Sequence, residues 1–143
     1  MNRTEVLLVE DNAADVRLLQ EVLRRSEASC NLHVARDGEE AMRMLRRQDS
    51  YSNLPVPDLV LLDLNLPVKS GREVLAEVKQ DPVLRRIPVV VLTTSQAESD
   101  VMACYDLHAN SYITKPVDLG EFERVVQDIE RYWFDRVQLP HHA

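Results

Sequence analysis

Five side chains that could take part in chemistry each stand at the end of a short apolar run or one residue beyond it. They comprise three carboxylates, one hydroxyl and one ammonium: Glu10, Asp11, Asp63, Thr93 and Lys115. Taken singly, each has an ordinary structural explanation, since such residues are common in turns and caps. Their repetition after four separate runs predicts one site, because the carboxyl ends of parallel strands open on the same edge of a sheet.

The three carboxylates predict a site for a hard divalent cation. Acidic groups packed together repel one another, and a cation or shifted pKa values must relieve that repulsion. The candidate ligands are all oxygens, which favours Mg²⁺ or Mn²⁺ over zinc. The sequence has no acidic loop with the spacing of a calcium-binding EF-hand.

Lys115 indicates that the site binds more than a metal ion. A structural metal site would not need an ammonium beside the cation, whereas a site that also binds a dianionic phosphoryl group would. Phosphoryl transfer is catalysed mainly by positioning and by neutralising charge on the phosphoryl oxygens. We expect the cation, the Lys115 ammonium and the Thr93 hydroxyl to bind one phosphoryl oxygen each. Asp63 is then the in-line nucleophile, and its product is an acyl phosphate.

The elements that position these groups alternate between strand and helix. Short apolar runs predict the strands, and apolar stripes with helical spacing predict the helices between them. We expect strands at 5–9, 31–35, 59–62, 88–92 and 111–114, and helices at about 13–26, 39–47, 71–81, 97–107 and from 119 onward. Asn12 is the expected N-cap of the first helix, and Pro82 ends the third. The alternation predicts an α/β fold with a parallel sheet and helices on both faces.

Length and composition are those of one soluble domain. The chain has 143 residues, of which 45% are hydrophobic and 29% charged, and its net charge of −7 argues against nonspecific nucleic-acid binding. No apolar stretch is long enough for a transmembrane helix, and residues 1–5 lack the apolar core of a signal peptide. Cys30 and Cys104 have no metal-ligand spacing, and we expect them to be reduced thiols of a cytoplasmic protein.

Four runs of the sequence together resemble the receiver domain of two-component response regulators: 9–11, 61–67, 92–95 and 114–116. The resemblance spans about 5–128. It implies a flavodoxin-like (βα)5 three-layer sandwich with strand order 2-1-3-4-5. It also implies transfer of a phosphoryl group from the phosphohistidine of a sensor histidine kinase to Asp63. The protein would then be a phospho-accepting signalling protein rather than an enzyme.

The resemblance also implies roles for the residues around the acceptor. Asp11, Asp63 and the backbone carbonyl of Asn65 would bind the metal ion, with Glu10 acting mostly through water. The peptide bond between Lys115 and Pro116 would be cis, which a tight turn before proline permits.

Two residues are implied in a switch that responds to phosphorylation. Thr93 would move toward the phosphoryl group, and the ring of Tyr112 would turn inward. The new dianion would thereby change a surface formed by the fourth and fifth strands and helices. Thr94 and Asn65 could alter water access, so the sequence leaves the lifetime of the acyl phosphate open.

Residues 130–143 extend the last helix beyond the point where a receiver usually ends. They carry three neighbouring aromatic residues, Tyr132, Trp133 and Phe134. We expect these rings to form a protein interface, with folding back onto the domain as the alternative. The two histidines at 141 and 142 are expected to belong to a frayed terminus.

A closer resemblance is to the small stand-alone receivers paired with cyanobacterial phytochrome histidine kinases. The segments that carry it are 49–57, 92–95, 105–108, 129–135 and 139–140. It implies a phytochrome as the partner kinase. It also implies a homodimer formed through the face that includes the last helix and its extension.

Three other functions are less consistent with the sequence. A phosphatase of the haloacid dehalogenase type needs a second aspartate two residues after the nucleophile, where this chain has Asn65. The glycines at 38, 71 and 120 supply neither a dinucleotide fingerprint nor a phosphate-cradling loop. A receiver fold that no longer accepts phosphate would not need all five site residues.

Overall fold

The computed structural model describes residues 3–26 and 30–140, and in these residues five strands alternate with five α-helices. The strands are β1 (Thr4–Val9), β2 (Cys30–Ala35), β3 (Leu59–Leu62), β4 (Val89–Thr93) and β5 (Ser111–Thr114). The helices are α1 (Ala13–Arg25), α2 (Gly38–Leu45), α3 (Gly71–Gln80), α4 (Glu98–Asp106) and α5 (Leu119–Glu130). All strand pairs are parallel, in the order β2-β1-β3-β4-β5, which confirms the flavodoxin-like fold.

The sheet is covered by helices on both faces, and the core therefore has two halves. Val6 and Leu8 of β1 pack on the side of α1 and α5, whereas Leu7 and Val9 pack on the side of α2 and α3. This alternation follows from the two-residue period of a strand. All four residues of β3 are buried, because a central parallel strand is covered on both faces.

Side-chain caps fix where four of the helices begin. The Asn12 side chain accepts a hydrogen bond from the Asp15 N–H at 3.0 Å, as the sequence predicts. Asp37, Ser70 and Asp118 cap α2, α3 and α5 in the same way. These bonds satisfy amide groups that have no partner inside the helix. The short loops after β1, β3 and β5 are therefore held between a strand end and a capped helix.

The peptide bond between Lys115 and Pro116 is trans, as are all other peptide bonds among the described residues, so the implied cis bond is wrong. A trans bond before proline is favoured by about 0.5–1 kcal/mol. In this arrangement the Lys115 N–H donates to the Thr93 carbonyl at 2.7 Å. This bond continues the pairing of β4 with β5 for one more residue.

A six-residue π-helical turn, Arg131–Arg136, follows α5 directly. Trp133 and Phe134 are partly buried against the half of the core formed by α1 and α5, whereas Tyr132 is 57% exposed. Trp133 and Phe134 therefore fold back onto the domain, whereas Tyr132 is free to contact another protein chain. The histidines at 141 and 142 lie outside the described residues.

Two further expectations concern cysteines and membrane spans. Cys30 and Cys104 are unpaired, as the sequence indicates. Among the described residues, no helix combines the length and apolar character that crossing a membrane requires.

Candidate functional site

Backbone hydrogen bonds at the carboxyl edge of the sheet place the candidate acidic residues side by side. The Glu10 N–H donates to the Ala35 carbonyl at 2.9 Å, and the Asp63 N–H donates to the Val9 carbonyl at 3.0 Å. Both bonds continue the strand pairing beyond the last residue of the strand. Each carboxylate thus starts from a backbone position that the sheet itself determines.

The carboxylates of Glu10, Asp11 and Asp63 form one cluster, in which an oxygen from each lies within 4.8 Å of the others. Glu10 and Asp63 are buried, and Asp11 is exposed at the mouth of the site. Oxygen ligands at this spacing, open to water on one side, suit a divalent cation that retains part of its hydration shell. The structure therefore brings together the three acidic residues that the sequence identified.

Lys115 lies in the same place and neutralises part of this charge. Its side chain is 4% exposed. The Lys115 Nζ donates to Glu10, to Asp15 at 2.8 Å and to Asp63 at 3.2 Å. Because an ammonium has three N–H donors, all three are in use. The ammonium therefore bridges the carboxylates that follow β1 and β3 and one that belongs to α1.

Burial and pairing shift the pKa values of two of these groups. Burial raises the pKa of Glu10 to about 7, against the opposing effect of hydrogen bonds from Lys115 and the Asn12 backbone. Burial lowers the pKa of Lys115, but hydrogen bonds to Asp15 and Glu10 outweigh it, and the net shift is upward. Lys115 is therefore a permanent cation at neutral pH, whereas Glu10 can exchange a proton there.

Asp63 has two differently held oxygens. Its Oδ1 accepts from the Leu64 N–H at 2.7 Å, and its Oδ2 faces the Lys115 ammonium. A glycine allows the chain to fold closely around it, since a Cβ added at Gly71 would lie 2.1 Å from the Asp63 carbonyl oxygen. The Gly71 N–H donates to the Leu64 carbonyl at 2.9 Å. The start of α3 therefore packs directly on the residue that carries the acceptor.

The remaining predicted site residues lie around this cluster. Asn65 is exposed in the loop two residues after Asp63. Thr93 is fully buried at the end of β4, and its hydroxyl accepts from the Ser95 N–H at 3.5 Å. The Tyr112 hydroxyl donates to the Ser95 carbonyl at 3.0 Å, and its ring packs against the core. Thr93 and Tyr112 are therefore both hydrogen-bonded to Ser95, in the loop that follows β4.

One residue of the site, Asp15, is not among those that the sequence pattern identifies. Its N–H is bonded to the Asn12 cap of α1, and its carboxylate reaches the Lys115 ammonium. The available signal was its position in the first turn of a helix that follows two acidic residues. The aromatic residues of the extension lie elsewhere, since Phe134 lines a pocket with Arg3 and Thr4 at the start of β1.

Comparisons with known proteins agree with this geometry. The model of the response regulator receiver domain matches residues 6–127. The response regulator Rcp1 of Synechocystis sp. is 56% identical over 135 residues, which cover 94% of this chain and 92% of Rcp1. A crystal structure of Mn²⁺-bound Rcp1 superposes with a TM-score of 0.94 at 55% identity and covers 96% of this chain and 99% of that one. A crystal structure of the phosphorylated cyanobacterial phytochrome response regulator RcpA superposes with a TM-score of 0.95 at 51% identity. It covers 98% of this chain and 100% of that one.

Proposed function

The chain belongs to the response regulator receiver domain family, and we propose that it accepts a phosphoryl group on Asp63 from the phosphohistidine of a sensor histidine kinase. The observation that carries the proposal is the contact of 3.2 Å between the Asp63 Oδ2 and the buried Lys115 ammonium, beside two further carboxylates. An acceptor oxygen, a fixed cation and a cluster for a second cation are the groups that phosphoryl transfer needs.

Mg²⁺ is the cation that we assign to the cluster, and Mn²⁺ is expected to replace it. Asp11, Asp63 and the Asn65 carbonyl would bind it directly, and Glu10 through water. Hard oxygen ligands and an exposed side for water and phosphoryl oxygens support the choice. When bound, the ion withdraws negative charge from a phosphoryl oxygen and so favours attack by an anionic nucleophile.

The transfer step needs no proton from the protein. An Asp63 carboxylate oxygen attacks phosphorus in line with the bond to the kinase histidine, a P–O bond forms and the P–N bond breaks. The electron pair of that bond goes to the leaving imidazole nitrogen, and a proton already on the other ring nitrogen makes the leaving group neutral imidazole. Lys115 binds one phosphoryl oxygen throughout, and the Thr93 hydroxyl donates to another. The product is an aspartyl phosphate on Asp63.

We propose that the response to phosphorylation passes through the loop that follows β4. Thr93 would approach the phosphoryl group, and this movement changes the loop because the Ser95 N–H is bonded to the Thr93 hydroxyl. Tyr112 would follow, since its own hydroxyl is bonded to the Ser95 carbonyl. The exposed surface of α4, β5 and α5 is then the output of the switch.

The partner that we propose is a phytochrome histidine kinase in the cytoplasm. Support comes from the similarity to RcpA, described as a cyanobacterial phytochrome response regulator, over 98% of this chain. The net charge of −7 is consistent with a protein partner and with no role for nucleic acid or membrane surfaces. We propose that the receiver domain in this chain signals by protein contact rather than by catalysis.

We also propose that the protein is a homodimer, with Tyr132, Trp133 and Phe134 as part of the interface. A groove of about 450 Å³ beside β5 and α5 is lined by apolar residues that include Val125, Ile129, Trp133 and the exposed Tyr132. Phe134 packs against the core and lines a separate pocket beside Arg3 and Thr4, so it would hold the extension on the domain. Aromatic residues of this kind are enriched at the centres of protein interfaces.

Acetyl phosphate with millimolar Mg²⁺ tests the central proposal. The intact wild-type protein should gain the mass of one phosphoryl group, and Asp63→Asn should gain none. Asp106→Asn is the matched control, because Asp106 is exposed on α4 and should leave the mass gain intact. Repeated turnover of simple phosphate esters without a trapped adduct would instead indicate a phosphatase.

A further inference from the structure

We infer that Asp15 is a positioning residue that serves as the dedicated counter-ion of Lys115 and thereby leaves Glu10 and Asp63 available to the metal ion. The inference deepens the proposed function and rests on it. It starts from the contact of 2.8 Å between the Asp15 Oδ2 and the Lys115 Nζ, which links α1 to the end of β5 across 100 positions of sequence.

The carboxylates that contact Lys115 differ in what else they can bind. Glu10 and Asp63 belong to the cluster of oxygens that suits a metal ion, and Asp15 is not a member of it. Lys115 and the metal ion therefore compete for Glu10 and Asp63, but only Lys115 uses Asp15. Lys115 can therefore keep its hydrogen bond to Asp15 in both the metal-free and the metal-bound site.

The position of Asp15 is fixed by its helix. It is the third residue of α1, and its own N–H is bonded to the Asn12 cap at 3.0 Å. The next residue, Val16, is buried in the core, as is Leu19 one turn further on. The Asp15 side chain is 20% exposed and therefore lies at the rim, on the side of the ammonium that faces α1. A rigid carboxylate here holds the flexible lysine in one place.

Removal of the Asp15 charge has two effects on the metal ion, and both have the same sign. The site loses one negative charge that attracts the cation. In addition, Lys115 is left with Glu10 and Asp63 as its only acceptors, so its hold on the oxygens that the cation needs becomes stronger. We expect Asp15→Asn to weaken Mg²⁺ binding by roughly three- to tenfold, the range of a partly exposed ion pair.

The same arrangement bears on the phosphorylated state. When Asp63 carries the phosphoryl group, the N–H of Lys115 that faces Asp63 is the one directed at a phosphoryl oxygen. Asp15 is a second acceptor for the same ammonium, so the lysine need not leave its position to make the new contact. Asp15 thus fixes the lysine without contacting the phosphorus itself.

Titration calorimetry of the 143-residue chain with Mg²⁺ tests the inference. Asp15→Asn, and Asp15→Ser as a second variant suited to a first helical turn, should both raise the dissociation constant by the stated factor. Asp15→Glu keeps a carboxylate and should restore much of the affinity. Asp106→Asn changes the net charge equally and should bind as the wild type does. Circular dichroism confirms that each variant is folded.

The outcomes separate this inference from the proposed function. Equal affinity of wild type, Asp15→Asn and Asp15→Ser would overturn it, as would an equal loss in Asp106→Asn, which would show an effect of net charge alone. Metal titration needs no phosphoryl donor. If the wild type accepted a phosphoryl group on Asp63 while these affinities were equal, only the inference would fail. If the wild type accepted none while Asp15→Asn bound Mg²⁺ more weakly, only the proposed function would fail.

Discussion

Replacement of Lys115 by methionine should destabilise the metal-free protein by about 3–5 kcal/mol, the usual cost of removing one partner from a buried ion pair. The side chain is 4% exposed and contacts three carboxylates, of which Glu10 and Asp63 are buried. Methionine fills similar space, so the cavity contribution is small. The cost arises mainly from negative charges that are left without a cation.

Lys69→Met is the matched control. Lys69 also contacts carboxylates, Glu77 and Glu39, but its side chain is 20% exposed and its partners are 30% and 52% exposed. Surface pairs of this kind contribute about 0–1 kcal/mol. The two variants remove the same charge and add the same side chain, so the difference between them isolates the effect of the buried carboxylates.

Urea unfolding followed by circular dichroism measures both variants, with and without saturating Mg²⁺. A ligand that binds only the folded state adds about 2.7 kcal/mol at a hundredfold excess over its dissociation constant. Mg²⁺ should stabilise Lys115→Met more than the wild type, because the ion replaces the missing positive charge. A variant that is no less stable than Lys69→Met, or that gains no more from Mg²⁺ than the wild type, would refute this reasoning.

Three further predictions follow from the same structure. Burial raises the pKa of Glu10 from 4.5 to about 7, so protonated Glu10 contributes about 3 kcal/mol to the free energy of unfolding below pH 4.5. This contribution is lost as the pH rises through about 7. Urea unfolding of the metal-free protein should show this fall, and Glu10→Gln should lack it. Gly71→Ala should destabilise the protein by about 1–3 kcal/mol and slow phosphorylation, because the added Cβ would collide with the Asp63 carbonyl oxygen. The control Gly120→Ala should unfold at a urea concentration similar to or higher than that of the wild type. Tyr132→Arg should lower the mass measured by light scattering toward that of a monomer, and an unchanged mass would contradict the dimer proposal.

Strand positions were readable from the sequence because the apolar runs have sharp ends. The ranges predicted for β3 and β5 agree with the structure, 59–62 and 111–114. The first strand begins one residue earlier than expected, and α4 is shorter by one residue at each end. These differences concern terminal residues, whose hydrogen bonds depend on tertiary contacts that a local pattern does not contain.

The acidic cluster and Lys115 could be predicted because topology alone places the carboxyl ends of parallel strands on one edge. Asp15 could not, because its contact depends on how α1 is rotated about its axis when Val16 and Leu19 pack into the core. The conformation of the bond before Pro116 was equally inaccessible, since both isomers are close in energy. The family resemblance implied the cis isomer, whereas the bond in the structure is trans.

The aromatic residues of the extension show a different limit. Their composition suits both a protein interface and a tail that folds back onto the domain. In the structure, the three rings do not all behave alike. Trp133 and Phe134 pack on the core, whereas Tyr132 faces outward with its ring edge-on to Trp133 at 5.3 Å between centroids. Sequence periodicity did not reveal this division, because the π-helical turn changes the angle between successive side chains.

The central claim is that Asp63 is the residue that carries the phosphoryl group. Borohydride reduces an aspartyl phosphate to homoserine, so peptide mass spectrometry after reduction identifies the acceptor directly. After treatment with acetyl phosphate and Mg²⁺, homoserine should appear at position 63 and should be absent when the metal ion is chelated. Homoserine at any other aspartate, or at none, would contradict the account.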